Sequence, residues 1–238
     1  MVEYEGSRTV NRLTPFIFYP KMRRNGNMWI DITHQLSKDW APWPGDPAFE
    51  LHFFETKANN GATNIAKLAG STHIATHVDA PRHVDDKGAT VDQLPIDPFI
   101  GRATVIEILD TPRIDESILK EEVIEGKIVL FKTQSHTNPS QFPETVPVLT
   151  TDAIDFLAQQ GVQVIGVDVP SIDPIDSESL ENHHHMINNE IFNIENLRLA
   201  HVSSGVYDFI GLPLKIVGGD ASYIRAVLRP LHSSQDRI

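Results

Sequence analysis

One short segment constrains the fold of this chain more than any other part of its sequence: His73-Ile74-Ala75-Thr76-His77-Val78-Asp79-Ala80-Pro81-Arg82-His83. It holds three imidazoles and a carboxylate, with neither Lys nor Glu between them. Neutral imidazole nitrogens and carboxylate oxygens are the donors that divalent metals such as zinc prefer. The segment therefore indicates a metal site rather than separate histidines that are exposed on a loop or bonded to backbone carbonyls.

Neither a regular strand nor a regular helix lets these side chains share one ion. In a strand, His73 and His77 would lie about 13 Å apart. In a continuous helix they would be neighbours, but Asp79 would point away from them. The metal hypothesis therefore requires a turn between His73 and His77 and an extended backbone from His77 to Asp79. Pro81 favours an extended chain just before it.

Length, charge and cysteine content limit the classes of protein to consider. A chain of 238 residues is long enough for one domain with a large core, and we assign residues 28–238 to that domain. The formal charge of −12 argues against nucleic acid as a partner. Cysteine is absent, which rules out a thiolate metal site and fits a reducing compartment, so we expect a cytoplasmic location. The sequence has no run of eighteen apolar residues, so we expect no contact with a membrane.

The first 27 residues differ from the rest, because basic side chains outnumber acidic ones and no periodicity is visible. We expect this extension to be flexible or to clasp a partner subunit.

The remaining sequence predicts a mixed α/β (α+β) fold. Apolar segments at 103–109, 127–132 and 162–169 are typical of buried strands. A helix from Thr150 or Thr151 to Gln160 separates the last two of these strands and implies a parallel pair with a right-handed crossover. We also expect a helix over 114–124, a short helix over 180–189 and a final strand over 221–231.

A second group of donors, His183-His184-His185 and Glu195, lies more than a hundred residues beyond the first. Its donor types match those of the first group, and metal sites are often built from distant segments. We hypothesise a two-metal centre in which His73, His77 and Asp79 bind one ion and His183 binds the other. Asp79 and Glu195 would bridge the pair. Two close metal ions acidify a bridging water.

The two-metal hypothesis does not need His83 as a ligand. An imidazole beside the metals can accept a proton from water and return it to a leaving amine near neutral pH. We therefore expect His83 to be the proton shuttle of an amide hydrolysis.

At these residues the sequence resembles the metal-dependent cyclase family and, within it, the bacterial kynurenine formamidases (arylformamidases). The family pattern is His-x-Gly-Thr-His-x-Asp-x-Pro-x-His, and this chain departs from it only in Ala75. The resemblance extends from about Trp29 to Pro230 and includes four further segments: Trp43-Pro44-Gly45-Asp46-Pro47, residues 166–174, His183 with Glu195-Asn196, and Arg225-Ala226-Val227.

The resemblance implies a compact domain around a small barrel-like mixed β core with a few flanking helices, of the swivelling β/β/α type. It implies a homodimer with two divalent metal ions per subunit, most often Zn²⁺ with Mn²⁺ as an alternative. The ligands would be His73, His77 and Asp79 for one ion, and Asp79, His183 and Glu195 for the other. His83 would transfer protons, and Trp43 would contact the aromatic ring of the substrate. The implied reaction is hydrolysis of N-formyl-L-kynurenine to L-kynurenine and formate in tryptophan degradation.

Three alternatives stay open at the level of sequence. The first is an isatin-hydrolase-like enzyme of the same family that acts on a related aromatic amide or lactam. The second is a non-haem iron oxygenase that uses His77, Asp79 and His183 as its iron ligands. The third is a non-catalytic metal-binding protein that has kept the ligands.

Overall fold

Short apolar and alternating segments form thirteen strands within residues 28–231, the part of the chain that the computed structural model describes. In chain order they are β1 (Ile30–Asp31), β2 (Glu50–Glu55), β3 (Ile65–Ala69), β4 (His77–Asp79), β5 (Ile100–Glu107), β6 (Arg113–Ile114), β7 (Ile128–Lys132), β8 (Val148–Leu149), β9 (Val164–Val167), β10 (Phe192–Glu195), β11 (Gly205–Ile210), β12 (Ala221–Tyr223) and β13 (Val227–Pro230). The expectation for residues 1–27 lies outside the described residues.

Nine of these strands form one mixed sheet in the order β1-β13-β11-β5-β7-β9-β10-β4-β12. The central strands β5, β7, β9 and β10 run parallel to one another, and the outer pairs are antiparallel. The sheet curls into a half-barrel. Thr33, just beyond β1, forms a bridge with Leu197, just beyond β10. The Arg198 N–H also donates to the Ile32 carbonyl at 2.9 Å. The predicted barrel-like mixed β core is therefore confirmed.

The two faces of the sheet bury two different cores because side chains alternate along each strand. On β7, Val129 and Phe131 face the helices, whereas Ile128 and Leu130 face the inside of the curl. The helices in the described part are α1 (Lys57–Asn60), α2 (Glu116–Leu119), α3 (Thr151–Gln159) and α4 (Glu181–Asn188). Single 3-10 turns occur at Pro81–His83, Val91–Gln93 and Asp97–Phe99. Among residues 28–231, no helix has the length and apolar character needed to span a bilayer.

The predicted helix over 114–124 is wrong in its length. Asp115 does cap a helix, because its Oδ1 accepts from the N–H groups of Ser117 and Ile118 at 3.0 and 3.2 Å. The helix ends at Leu119, the residue of its single turn that is buried in the core. Beyond it, Val123 is 74% exposed, so this part of the predicted helix contributes no buried side chain at that position.

The predicted strand over 221–231 is also wrong, because it is two strands at opposite ends of the sheet. β12 pairs with β4 at one edge, whereas β13 pairs with β11 and β1 near the other. The connecting residues cross between the ends. The Ile224 N–H donates to Thr76, and the carbonyl of Ala226 accepts from Ile32. The curl of the sheet makes this crossing short, and local periodicity does not reveal it.

Candidate metal centre

The register of β4 against its two neighbours brings donor side chains together. β4 lies between β10 and β12 and is antiparallel to both. In this register His77 is opposite Glu195, and Asp79 is opposite Asn193. Residues two apart on a strand share a face. The two cross-strand pairs therefore present an imidazole, two carboxylates and an amide on one buried surface.

His73 reaches the same surface through the turn that precedes β4. The chain turns over 71–76 and is extended from His77 to Asp79, as the metal hypothesis requires. Within the turn, Ala75 adopts a left-handed backbone with φ of 56°. Its carbonyl oxygen lies 2.8 Å from Nδ1 of His77, which fixes that ring with Nε2 pointing toward the carboxylates. The turn thus uses the glycine-like backbone of the family pattern although the residue is alanine.

The donor atoms lie at distances suited to ligands of shared ions. Asp79 Oδ1 is 3.0 Å from His73 Nδ1 and 3.3 Å from His77 Nε2. Glu195 Oε2 is 3.4 Å from His77 Nε2. His183 Nε2 is 3.5 Å from both Asp79 Oδ2 and Glu195 Oε1. Two ligand atoms of a tetrahedral zinc ion, each about 2.1 Å from the metal, are separated by roughly 3.4 Å.

Two unpartnered atoms support the same interpretation. His77 Nε2 and Asp79 Oδ1 are buried and have no hydrogen-bond partner among residues 28–231. A buried polar atom without a partner is costly, and a bound ion is one explanation for it. The donor atoms fall into two groups within 4.8 Å, one of His73, Asp79 and His83 and one of His77, Asp79 and Glu195. Asp79 belongs to both groups. This grouping differs from the hypothesis in placing His83, rather than His77, beside His73.

His183 comes from the first turn of α4 and is oriented by a carboxylate that the sequence analysis did not single out. Asp173 Oδ2 lies 2.6 Å from His183 Nδ1 and accepts from the His183 N–H at 3.1 Å. Its Oδ1 accepts from the Asn182 N–H at 2.8 Å. Asp173 therefore caps the helix and turns Nε2 of His183 toward Asp79 and Glu195. A carboxylate behind an imidazole is a common outer partner of a metal ligand.

The carboxylates of the cluster raise the pKa values of the neighbouring histidines, whereas burial alone would lower them. Burial alone lowers the pKa of His77, but Asp79 and Glu195 raise it to about 10. Burial likewise opposes protonation of His73, yet Asp79 and Asp220 raise its pKa to about 9. Asp173, Asp79 and Glu195 raise the pKa of His183 despite its burial. Without a metal, His73 and His77 carry protons at neutral pH, and a dication can replace those protons.

His83 lies at the edge of the cluster, on the 3-10 turn Pro81–His83. Its ring centroid is 4.2 Å from that of His73 and 5.5 Å from that of His183. Gly88 packs directly on this turn, because a Cβ at that position would lie 2.5 Å from the carbonyl carbon of Pro81. The close backbone contact holds His83 beside the proposed ligands.

Asp220 links His83 to the ligand cluster. One of its carboxylate oxygens lies 3.0 Å from His73 Nε2 and 3.9 Å from His83 Nδ1. Thr72 donates to the other oxygen at 3.0 Å.

Trp40 and Trp43 of the proline-rich loop have different environments. Trp40 is buried in a small core with Phe49 and Ile74. Trp43 is half-buried, contacts the Phe142 ring edge-to-face at 4.9 Å, and lines a cavity of about 290 Å³. We call this the front cavity. His73, His83, His183 and Glu195 also line it, so an aromatic group beside Trp43 would have direct access to the cluster.

Three polar residues of the site were missed by the sequence analysis: Asp173, Asn193 and Asp220. Asn193 donates to Asp79 Oδ2 at 2.9 Å and to Glu195 Oε1 at 2.8 Å. It could have been found, because it lies two residues before Glu195 in a segment that reads as a strand. Asp173 lies in the segment 166–174 that the resemblance includes, although no role was assigned to it, whereas the sequence near Asp220 carries no comparable signal.

Comparison with known protein families gives a consistent result. The cyclase family model matches residues 30–174. The kynurenine formamidase of Bacillus mycoides is 40% identical over 206 residues, which is 86% of this chain and 99% of that protein.

Solved structures share the architecture. A predicted metal-dependent hydrolase from Bacillus stearothermophilus superposes with a TM-score of 0.72 at 25% identity, covering 86% of this chain and 99% of that one. Isatin hydrolase A from Labrenzia aggregata has a TM-score of 0.74 at 20% identity, covering 87% of this chain and 95% of that one. At that identity the second likeness concerns the fold alone.

Proposed function

This chain belongs to the cyclase family, and from that premise we propose that it is a metal-dependent amidohydrolase that converts N-formyl-L-kynurenine and water to L-kynurenine and formate. One observation carries the reaction class. Imidazoles and carboxylates from remote segments of the chain converge in a buried cluster that includes atoms with no protein partner. The substrate follows from the curated formamidases, which this chain matches over nearly their whole length.

We propose that His73, His77, Asp79, His183 and Glu195 hold two divalent ions, most often Zn²⁺ with Mn²⁺ as the alternative. The donor set fits either metal, because it consists of imidazole nitrogen and carboxylate oxygen. Ions bound here would acidify a water molecule and polarise the formyl carbonyl oxygen. Asn193 restrains the carboxylates of Asp79 and Glu195 through its two hydrogen bonds, and Asp173 restrains His183.

We assign proton transfer to His83 and ring binding to Trp43. His83 is 28% exposed in its side chain and lines the front cavity, so it can reach both an incoming water and a leaving nitrogen. It takes a proton from the water and returns it to the arylamine nitrogen as the C–N bond breaks. The edge-to-face contact between Trp43 and Phe142 leaves a rigid aromatic wall against which a planar substrate ring can pack.

Metal analysis combined with an absorbance assay tests this proposal. Purified full-length protein, loaded with Zn²⁺ or Mn²⁺ and kept free of oxygen, is incubated with N-formyl-L-kynurenine or with isatin. We expect formylkynurenine to be the better substrate and a chelator to abolish its turnover. Faster turnover of isatin would overturn the substrate assignment. A requirement for iron and oxygen would replace the hydrolase by the oxygenase alternative.

We also propose a homodimer in which the β2–β3 hairpin is covered by a second copy. Cross-strand pairing places Leu51, Leu68 and Phe53 on one face of the hairpin, where each is more than half exposed. A two-stranded sheet with an uncovered apolar face is marginally stable in water. His52 pairs with Lys67 on the opposite face.

The molar mass in solution tests the dimer. Phe53→Glu places a charge on the apolar face and is expected to yield monomers. His52→Glu places the same charge on the opposite face, beside Lys67, and is the matched control, expected to remain dimeric. A wild-type protein that sediments as a monomer would contradict the proposal. The cytoplasmic location stays a prediction from the sequence.

A further inference from the structure

A second, larger cavity borders the candidate metal centre, and Trp43 is not among its lining residues. It has a volume of about 400 Å³, and Asp79, His83, His183 and Asn193 are among the residues that line it. We call it the rear cavity. His83 and His183 also line the front cavity, so these two imidazoles border both spaces. A formamide whose ring packs on Trp43 ends at the metal centre and leaves the rear cavity unused.

The walls of the rear cavity are mostly apolar and have rigid support. Leu94, Pro98, Ile187 and Phe192 contribute to them. Met186, which also lines the cavity, is 1% exposed and belongs to the core under the helices. A volume of this size, with apolar walls and a few polar groups at one end, is typical of a small-molecule site.

Amide geometry defines which part of a substrate would enter this space. In a planar amide, the nitrogen and the substituent of the acyl carbon lie on opposite sides of the carbonyl carbon. If the arylamine side lies against Trp43 in the front cavity, the acyl substituent points across His83 and His183 toward the rear cavity. In a formamide that substituent is a hydrogen atom, whereas in a higher amide it is an alkyl chain.

We propose that the rear cavity is an acyl-chain site and that the enzyme also hydrolyses N-acyl arylamines with short linear acyl chains. This inference rests on the proposed formamidase function. The water oxygen bonds to the acyl carbon, the C–N bond breaks, and His83 transfers the water proton to the nitrogen. The products are a carboxylic acid and an arylamine, with no change in oxidation state. Each methylene that leaves water for the apolar wall favours the bound state by up to about fourfold.

A series of chain lengths tests the proposal. The zinc-loaded full-length protein is assayed with the formyl, acetyl, butyryl and hexanoyl amides of p-nitroaniline, and the release of p-nitroaniline is followed by absorbance. We expect kcat/KM to rise by about tenfold or more from the acetyl to the hexanoyl amide as methylenes enter the cavity. A decline along this series would overturn the acyl-chain site.

A substitution that fills the rear cavity tests whether the dependence on chain length arises there. Ile187→Trp is expected to lower kcat/KM for the hexanoyl amide about tenfold relative to the formyl amide. Asn188→Trp, the same change at the exposed neighbouring position on α4, is the matched control and should leave that ratio unchanged. Ala89→Phe narrows the cavity from a different segment and serves if Ile187→Trp does not fold.

The outcomes separate this inference from the proposed function. If the wild-type protein did not hydrolyse the formyl amide, the proposed formamidase function itself would be wrong. Normal formyl turnover without a gain from longer chains would remove only the acyl-chain site. Loss of formyl and hexanoyl turnover by the same factor in folded Ile187→Trp would place the arylamine ring, rather than the acyl chain, in the rear cavity, and the inference would fail.

Discussion

Two groups of buried histidines in this molecule have pKa values shifted in opposite directions. The first group surrounds Asp79, and the second lies beside Trp40. Around Asp79, buried imidazoles have raised pKa values, about 9 for His73 and about 10 for His77. Beside Trp40, burial, with a smaller contribution from the positive charge of Arg198, lowers the pKa of His34 to about 4. The difference is in the neighbours, because carboxylates surround the first group and cationic or aromatic side chains surround the second.

The comparison teaches which buried histidines to assign to a metal. The groups are close, since the Thr76 hydroxyl between them accepts from the His34 N–H at 2.9 Å. Only the first group combines donor atoms about 3.5 Å apart with an unpartnered ring nitrogen. The ring of His34 packs against Trp40 with centroids 4.8 Å apart. We assign the first group to metal binding and the second to packing.

Replacement of a histidine by alanine should have the largest effect on metal content and turnover in the first group and little effect on either in the second. His77→Ala is expected to lose bound metal and to lower turnover by about a thousandfold or more, because the ligand and its geometry are removed together. His34→Ala should keep full metal content and lose about 1 kcal/mol of stability with the Trp40 contact. Metal analysis, a formylkynurenine assay and urea unfolding measure the two variants. Equal metal loss in both would remove the distinction.

Replacement of His83 should separate catalysis from metal binding. His83→Ala is expected to lower kcat by about 10²–10⁴-fold, because the proton transfer loses its donor and acceptor. The ligand set that we propose remains, so metal content should be nearly unchanged. His184→Ala, an exposed histidine on α4, is the control with wild-type turnover. Unchanged turnover in His83→Ala would exclude the proton-shuttle role.

The two groups should also give opposite pH dependences of stability. In the metal-free protein, His73 and His77 take up protons more readily when folded, so their stabilisation is present below about pH 6.5 and is lost as the pH rises through 9 to 10. His34 binds its proton more weakly when folded. The contribution of neutral His34 to the free energy of unfolding is about 2 kcal/mol after solvent screening. It is present above pH 6.5 and is lost as the pH falls toward 4.

Urea unfolding of the metal-free protein from pH 4 to 10 tests both pH dependences: the loss of stability at acid pH (the acid arm) and the loss at alkaline pH (the alkaline arm). His34→Gln should flatten the acid arm and leave the alkaline arm in place. Added Zn²⁺ should flatten the alkaline arm, because the metal replaces the protons on the imidazoles. An alkaline arm that survives saturating zinc would contradict the assignment of His73 and His77 as ligands.

The sequence predicted those parts of the fold and site that depend on local pattern. β7 and β9 are apolar segments, and the turn before β4 follows from the spacing of His73, His77 and Asp79 alone. Cross-strand register, however, is a property of the whole sheet. The pairing of His77 with Glu195 depends on that register, and so does the approach of Asp220, which directly precedes β12. Asp220 therefore gave no signal, and the separation of β12 from β13 was missed for the same reason.

Ala75 joins the two groups and should give the smallest effect. Its carbonyl oxygen accepts from His77, while its fully buried methyl group packs in the core of Trp40 and Phe49. Ala75→Gly relieves a left-handed backbone that costs an alanine about 1 kcal/mol. It also removes a buried methyl group worth about 0.8 kcal/mol and makes the unfolded chain more flexible. These contributions oppose one another, so we expect a stability change below about 1 kcal/mol and turnover within about threefold of wild type.

Ala75→Val distinguishes the backbone from the packing explanation. A β-branched side chain is strongly disfavoured in the left-handed region and is also too large for a fully buried site. Its destabilisation should therefore exceed about 2 kcal/mol, and displacement of the carbonyl that orients His77 should lower metal content as well. If Ala75→Val were as stable as wild type, the turn would not hold the left-handed conformation, and the orientation of His77 would need another cause.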